Sequence, residues 1–212
     1  MSRQRIVLAD DHKMLLAAFR KLLEPDYEIV GVVEDGHALL AAAEELVPDI
    51  IVLDIAMPRL NGIDAARQIK QKFPDIKLIF LTVNEAPDLI AEAFRAGASG
   101  YLLKSSAASE LHEAIERAVR NRNYITPLLS KVMVEIISDG SRSKLRSADL
   151  THRQREVLQL LAEGQTMKEA ALALKLSPRT VAFHKYRIME QLKIKTNAEL
   201  IQFAVKERIV SL

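Results

Sequence analysis

The chain has 212 residues with a hydrophobic fraction of 49%, enough for two folded cores. It has no cysteine, which excludes disulfides, thiolate metal sites and cysteine nucleophiles. No apolar run approaches the length of a membrane span, so a cytoplasmic protein with no membrane partner is expected.

The formal net charge of +2 hides an asymmetry. Residues 1–121 carry 14 Lys and Arg against 19 Asp and Glu, whereas residues 141–212 carry 14 against 7. That division suggests two modules with different partners, the basic one suited to nucleic acid.

Residues 1–121 alternate strand-like and helix-like segments. Strands are expected at Arg5–Ala9, Glu28–Val33, Asp49–Leu53, Ile76–Thr82 and Ser99–Leu103. Helical patterns lie between them, near 13–23, 37–46, 63–72, 86–96 and 107–120. Pro48 and Pro74 each stand just before a strand, and Gly97 follows the fourth helix. Strict alternation predicts an α/β fold, a doubly wound, CheY-like (βα)5 plan with parallel sheet order 2-1-3-4-5.

Residues 122–147 then read as a linker, with a helix expected over 127–137 and a small polar stretch, Ser138-Asp139-Gly140-Ser141-Arg142-Ser143-Lys144. Residues 148–212 read as a small all-α domain. Thr151 with Gln154 forms a capping box, and Gly164 stops the helix they open. A second helix runs over about 166–174. Ser177-Pro178 opens a third, and a fourth runs from about Asn197 to Lys206.

The third strand is the informative one. Ile50-Ile51-Val52-Leu53 is an uninterrupted apolar run ending in Asp54, as expected for a strand buried on both faces. Asp10 and Asp11 end the neighbouring first strand. Carboxylates converging on one sheet edge repel one another unless a cation joins them, and a hard cation with oxygen ligands fits Mg2+. Thr82 ends the fourth strand with a hydroxyl, and Lys104 ends the fifth with a point charge suited to a phosphoryl oxygen. Phosphoryl transfer needs mainly positioning and charge neutralisation, and this set offers both. An aspartate at a strand end, taken alone, more often caps the next helix; the joint placement points to chemistry.

On Asp10-Asp11, Asp54 with Met57-Pro58 and Gly62 behind it, Thr82 and Lys104, residues 1–121 resemble a response-regulator receiver domain. The resemblance implies that Asp54 takes a phosphoryl group from the phosphohistidine of a sensor histidine kinase. It implies Mg2+ bound by Asp11, Asp54 and the backbone carbonyl of Ala56, with Asp10 helping through water. Tyr101 falls where such domains carry a switch aromatic. Two positions depart from the commonest pattern. Ser105 stands after Lys104 where many receivers have a proline, often cis, and Val83 follows Thr82 where many have a smaller residue. The second departure is expected to restrict access to Asp54 and alter phosphoryl lifetime.

In the helical module, Val181, Ile188 and Leu192 share one face of the third helix as its core stripe. Arg179, Ala182, Phe183 and Tyr186 lie opposite, flanked by Lys185 and Arg187. A major groove admits one helix, whose N-terminal side chains reach base edges while flanking basic residues meet phosphates. Leu150-Thr151, Arg153, Glu156-Val157-Leu158, Gly164, Lys168-Glu169-Ala170-Ala171 and Leu176-Ser177-Pro178-Arg179-Thr180-Val181 resemble the LuxR-type helix-turn-helix domain. Together with the receiver they imply the NarL/FixJ class and double-stranded DNA as partner. Met167 stands where Asn is common and Gln191 where Lys is common, so weaker backbone contacts are expected there. Arg179, Thr180, Ala182, Phe183, Lys185, Tyr186 and Arg187 are the candidate DNA-binding residues. The resemblance makes the last helix, with Leu200, Ile201, Phe203 and Ala204, a homodimerisation surface.

Two other protein classes share features with this chain. A haloacid-dehalogenase-type hydrolase also uses a strand-end Asp, but it needs a second Asp two residues on, where this chain has Ala56. A phosphorylation-independent adaptor would not need the acidic pocket. The expectation is therefore a regulator and not an enzyme, with only its own phosphorylation and dephosphorylation as chemistry.

Overall fold

A computed structural model describes residues 3–83, 85, 87–129, 150–207 and 209–210, with the side chains of residues 87 and 88 not described. The chain divides into two compact units. Residues 130–149, which hold most of the expected linker and of its expected helix, lie outside the described residues.

The first unit is a parallel sheet with β1 (Arg5–Ala9), β2 (Glu28–Val33), β3 (Ile50–Asp54), β4 (Lys77–Thr82), β5 (Ala98–Leu103) and β6 (Tyr124–Ile125). Its helices are α1 (Lys13–Leu23), α2 (Gly36–Leu46), α3 (Gly62–Lys72), α4 (Pro87–Arg95) and α5 (Ala107–Val119). The strand order is β2-β1-β3-β4-β5-β6. The five expected strands are present in the expected order, and a sixth extends the sheet: Tyr124 pairs with Gly100 and Ile125 with Tyr101, inside what reads from sequence as linker.

All five residues of β3 are buried, because helices cover both faces of the sheet. On one face Ile6, Leu8, Ile50, Val52, Ile79, Leu81 and Leu102 pack with Leu16, Phe19 and Leu23 of α1 and Leu111 and Ile115 of α5. The alternation of the pleat turns Val7, Ile51, Leu53, Phe80 and Tyr101 to the other face, where they are buried as well. Thr82 has the parity of Phe80, so Thr82 and Tyr101 both face away from α1 and α5.

Side-chain caps start two helices next to the sheet. Asp35 accepts from the Ala38 N–H at 2.9 Å for α2, and Asn61 accepts from the Asp64 N–H at 2.9 Å for α3. Helix α2 ends badly: Val47 is a β-branched residue held in the left-handed region at φ 42°. Its side chain is half exposed, so little burial depends on it. Val47→Gly is expected to stabilise this unit by about 1 kcal/mol, the relief of left-handed strain exceeding the entropy glycine adds to the unfolded chain. A urea midpoint that stays put or falls would contradict this.

The second unit is all helical among the described residues: α6 (His152–Ala162), α7 (Met167–Ala173), α8 (Pro178–Leu192) and α9 (Asn197–Lys206). Thr151 with Gln154, Thr166 with Glu169 and Thr196 with Glu199 form three capping boxes, and Ser177 caps α8 with Pro178 in its first turn. The core joins Val157, Leu158 and Leu160 of α6, Ala170 and Ala171 of α7, Val181 and Ile188 of α8, and Leu200 and Ala204 of α9.

Candidate functional site

The C-terminal edge of the sheet gathers the residues of the acidic pocket. Asp10 follows β1, Asp54 ends β3 and Thr82 ends β4; these three are buried, with Asp10 2% and Asp54 3% exposed. Lys104 follows β5. Its ammonium lies 2.7 Å from Asp10 Oδ2 and 2.9 Å from Asp54 Oδ2. The cation therefore bridges the two buried carboxylates and serves as their counter-charge.

Burial pushes the Asp54 carboxyl above its usual range, against the pull of the Lys104 ammonium, and the charge of Asp10 pushes it further up. Lys104 also titrates above the usual lysine value: burial opposes its charge, but its hydrogen bond to Asp10 and the charge of Asp54 outweigh that.

Asp10 does not cap α1. Its Oδ1 accepts from the His12 N–H at 2.9 Å, and His12, at the N-cap position before α1, makes no side-chain cap bond. His12 itself is a member of the pocket that the sequence reading passed over. Its Nδ1 is 3.0 Å from Asp10 Oδ1 and 2.8 Å from Asp11 Oδ1, and the hydrogen bond to Asp10 followed by the charge of Asp11 raises its pKa. The only sequence signal was its place directly after two aspartates. Ligand atoms of Asp10, Asp11, His12 and Asp54 lie within 4.8 Å of one another. Three carboxylates at that spacing supply hard oxygen donors and fit a Mg2+ ion.

The loop behind Asp54 is shaped by a close approach. The Gly62 N–H donates to the Ile55 carbonyl at 2.8 Å. A Cβ at position 62 would stand 2.0 Å from the Asp54 carbonyl oxygen. Ala56 is exposed, Met57 and Leu60 are buried, and Arg59 takes φ 66° in the turn between them.

Thr82 and Tyr101 are both buried, Tyr101 completely. The Lys104 N–H donates to the Thr82 carbonyl at 2.7 Å, joining the ends of β4 and β5. The Lys104–Ser105 peptide is trans. Val83 is 82% exposed at the rim.

On α8 the expected stripe is buried: Val181 and Ile188 are in the core, with Leu192 packed against it. Arg179, Phe183, Tyr186 and Arg187 are exposed, and Ala182 and Lys185 are half buried. Lys185 Nζ lies 5.8 Å from the centre of the Tyr186 ring. Thr180 is half buried, and its hydroxyl shares a 2.8 Å hydrogen bond with Ser177 Oγ at the helix start. Its first role is thus to hold the cap.

The four residues expected to form a surface on α9 divide by burial. Leu200 and Ala204 are buried in the core of their own unit, and Phe203 is partly buried against it. Of the four, Ile201 alone is exposed, at 38%. A short helix offers its apolar residues first to its own domain, which is what spacing alone did not separate.

The family model for a response regulator receiver domain matches residues 6–116, and the model for bacterial regulatory proteins of the luxR family matches residues 148–204. The chain belongs to the LuxR-type response regulators. It is 31% identical to the oxygen regulatory protein NreC of Staphylococcus carnosus, over 97% of this chain and 99% of that one. It is 33% identical to the transcriptional regulatory protein LiaR of Bacillus subtilis, over 98% and 99%. Among solved structures, RcsB of Salmonella enterica serovar Typhimurium, bound to a promoter in the presence of the phosphomimetic BeF3−, is similar to this response regulator. Their TM-score is 0.62 at 28% identity, covering 97% of this chain and 100% of that one. Among the described residues of the regulator, no helix is long and apolar enough to cross a membrane.

Proposed function

We propose that this response regulator is a phosphorylation-controlled, DNA-binding transcription regulator that acts in the cytoplasm. Asp54 accepts a phosphoryl group from a sensor histidine kinase, and α8 reads promoter DNA. The observation that carries the reading is the Lys104 ammonium lodged between the buried carboxylates of Asp10 and Asp54. A cation already within ion-pair distance of the acceptor oxygen can follow that oxygen when it gains a phosphoryl group.

In the transfer, a carboxylate oxygen of Asp54 attacks phosphorus, the N–P bond of the kinase phosphohistidine breaks, and its electron pair leaves with the imidazole. Asp11, Asp54 and the Ala56 carbonyl would hold Mg2+, with Asp10 acting through water; the ion, when bound, neutralises the phosphoryl oxygens. Lys104 meets one phosphoryl oxygen. Thr82 is drawn toward another, and Tyr101 repacks on the same side of the sheet. The change is a population shift between two receiver states, bounded by their differential stability. The promoter complex of RcsB supports assigning the DNA partner to this chain, and dimers would set two copies of α8 on half-sites about one helical turn apart. With two of the four expected α9 residues in the core, Ile201 and the edge of Phe203 carry whatever part α9 takes in the homodimer. With Ala56 where a phosphatase keeps its acid, the chain turns over no substrate beyond its own phosphoryl group.

Three outcomes test the site assignments. Lys185→Ala and Arg187→Ala are each expected to weaken binding to all DNA sequences alike and to lower the salt slope of the affinity by about 1. Arg179→Ala is expected to cost about 1–3 kcal/mol at one base position, read from a panel of single-substitution operators; uniform loss across the panel would make it a phosphate contact instead. Val83→Ala is expected to shorten the phosphoryl lifetime several-fold by opening the rim to water, and an unchanged dephosphorylation rate would remove Val83 from the account.

A further inference from the structure

The added strand β6 lies where the receiver's state would leave the receiver. The end of β5 is held on both sides. The Lys104 N–H donates to the Thr82 carbonyl at 2.7 Å, and one residue earlier the Leu103 N–H donates to Thr126 Oγ1 at 3.2 Å. Thr126 is 2% exposed, and each of its polar groups is engaged. Its N–H donates to the carbonyl of Tyr101 at 3.1 Å, and its carbonyl accepts from the Leu129 N–H at 2.8 Å. Its hydroxyl donates to Glu110 Oε2 at 2.8 Å, which fixes the lone pair turned to Leu103. The Tyr124 hydroxyl donates to the same Glu110 oxygen at 3.1 Å, and the Arg117 guanidinium lies 5.3 Å from the Tyr124 ring centre. Burial, then the neighbouring Glu110 carboxylate, pushes the Tyr124 phenol up to about 12, so the donor stays protonated across the physiological range.

These bonds join two things that the chain separates. Tyr101 and Lys104 belong to the phosphoacceptor apparatus. Residues 127–129 begin the segment that runs on to the helical unit. We propose that Thr126 is a positioning residue that couples the two: it transmits movement of the Tyr101–Lys104 backbone to the inter-unit segment, with Glu110 orienting its hydroxyl. The proposal rests on Asp54 being the phosphoacceptor. It places the route of the signal out of the receiver in a buried side-chain hydrogen bond at the sheet edge. Bonds of this kind rigidify because a buried donor left unpaired is costly.

The test is hydrogen exchange on the full chain, following residues 98–104 and 122–126, with and without a small phosphodonor and Mg2+. Wild type, Thr126→Val and Thr126→Ser are compared, and intact mass reports phosphoryl uptake separately. Uptake by all three proteins is expected. In wild type and Thr126→Ser, exchange in both segments should shift together on uptake. In Thr126→Val the shift should stop within 98–104, and the gain in DNA affinity on uptake should fall from about fivefold or more to near unity. Glu110→Ala, which leaves the backbone pairing of β6 in place, should show the same uncoupling in weaker form and serves if Thr126→Val folds poorly. A Thr126→Val or Glu110→Ala protein that passes the full shift into 122–126 overturns the proposal, as does a wild type whose 122–126 exchange ignores uptake. No uptake by wild type would overturn the phosphoacceptor reading, and the coupling with it, and the mass measurement identifies that case.

Discussion

Asp54→Asn is expected to take up no phosphoryl group and to hold the DNA affinity of the unmodified protein whatever phosphodonor is supplied. The substitution keeps the size of the side chain and its place at the end of β3, but an amide oxygen does not form the mixed anhydride. Lys104 keeps Asp10 as its partner at 2.7 Å, so the pocket should stay assembled. The effect is then the loss of coupling alone, which for a switch of this kind amounts to about 5- to 150-fold in affinity. Intact mass and fluorescence anisotropy on an operator duplex, with and without phosphodonor and Mg2+, read the two halves. If the Asn variant still gains affinity with the donor, the acceptor is another residue and the pocket has a different use.

The second large effect is expected at Gly62. A methyl group there would overlap the Asp54 carbonyl oxygen at 2.0 Å, and the opposing atoms are backbone, not the end of a flexible side chain. Either α3 moves away, breaking the 2.8 Å bond from the Gly62 N–H to Ile55, or β3 moves and carries Asp54 with it. Gly62→Ala should cost about 3 kcal/mol in unfolding free energy, the upper part of the overpacking range. Phosphoryl uptake should fall about 100-fold, as misplacement by about 1 Å commonly does. Urea unfolding and the uptake rate, followed together, test this. Wild-type stability with slow uptake would confine the damage to the loop, and wild-type values for both would show that the approach is not tight.

Much of this was legible in the residues because it is written in local patterns. The alternation of strands and helices follows from periods of two and 3.6 residues, which need no tertiary information. The unbroken apolar run before Asp54 announced a strand covered on both sides. Thr151, Ser177 and Pro178 announced helix starts through groups they satisfy within one turn. Val181 and Ile188 fell on the core side of α8 because 100° per residue leaves little choice.

β6 was not legible, because two residues are too few to show a period. His12 was passed over because an imidazole after two carboxylates becomes part of a pocket only when the turn into α1 points it back. In α9 the apolar residues were counted correctly but not divided: Leu200 and Ala204 belong to the core and Ile201 to the surface, and only packing within the unit, chiefly against α6, separates them.

By itself, then, the sequence determined which elements form and which carboxylate, hydroxyl and basic side chains stand at their ends, since both depend on neighbours along the chain. Only the tertiary structure decided that Lys104 bridges Asp10 and Asp54, that Gly62 must lack a side chain, and that Thr126 ties β6 to the backbone beside Lys104. The Lys104 and Thr126 contacts join residues far apart in sequence, and their distances exist only once the sheet has brought the strand ends together; the Gly62 approach depends on how the loop after β3 folds back on Asp54.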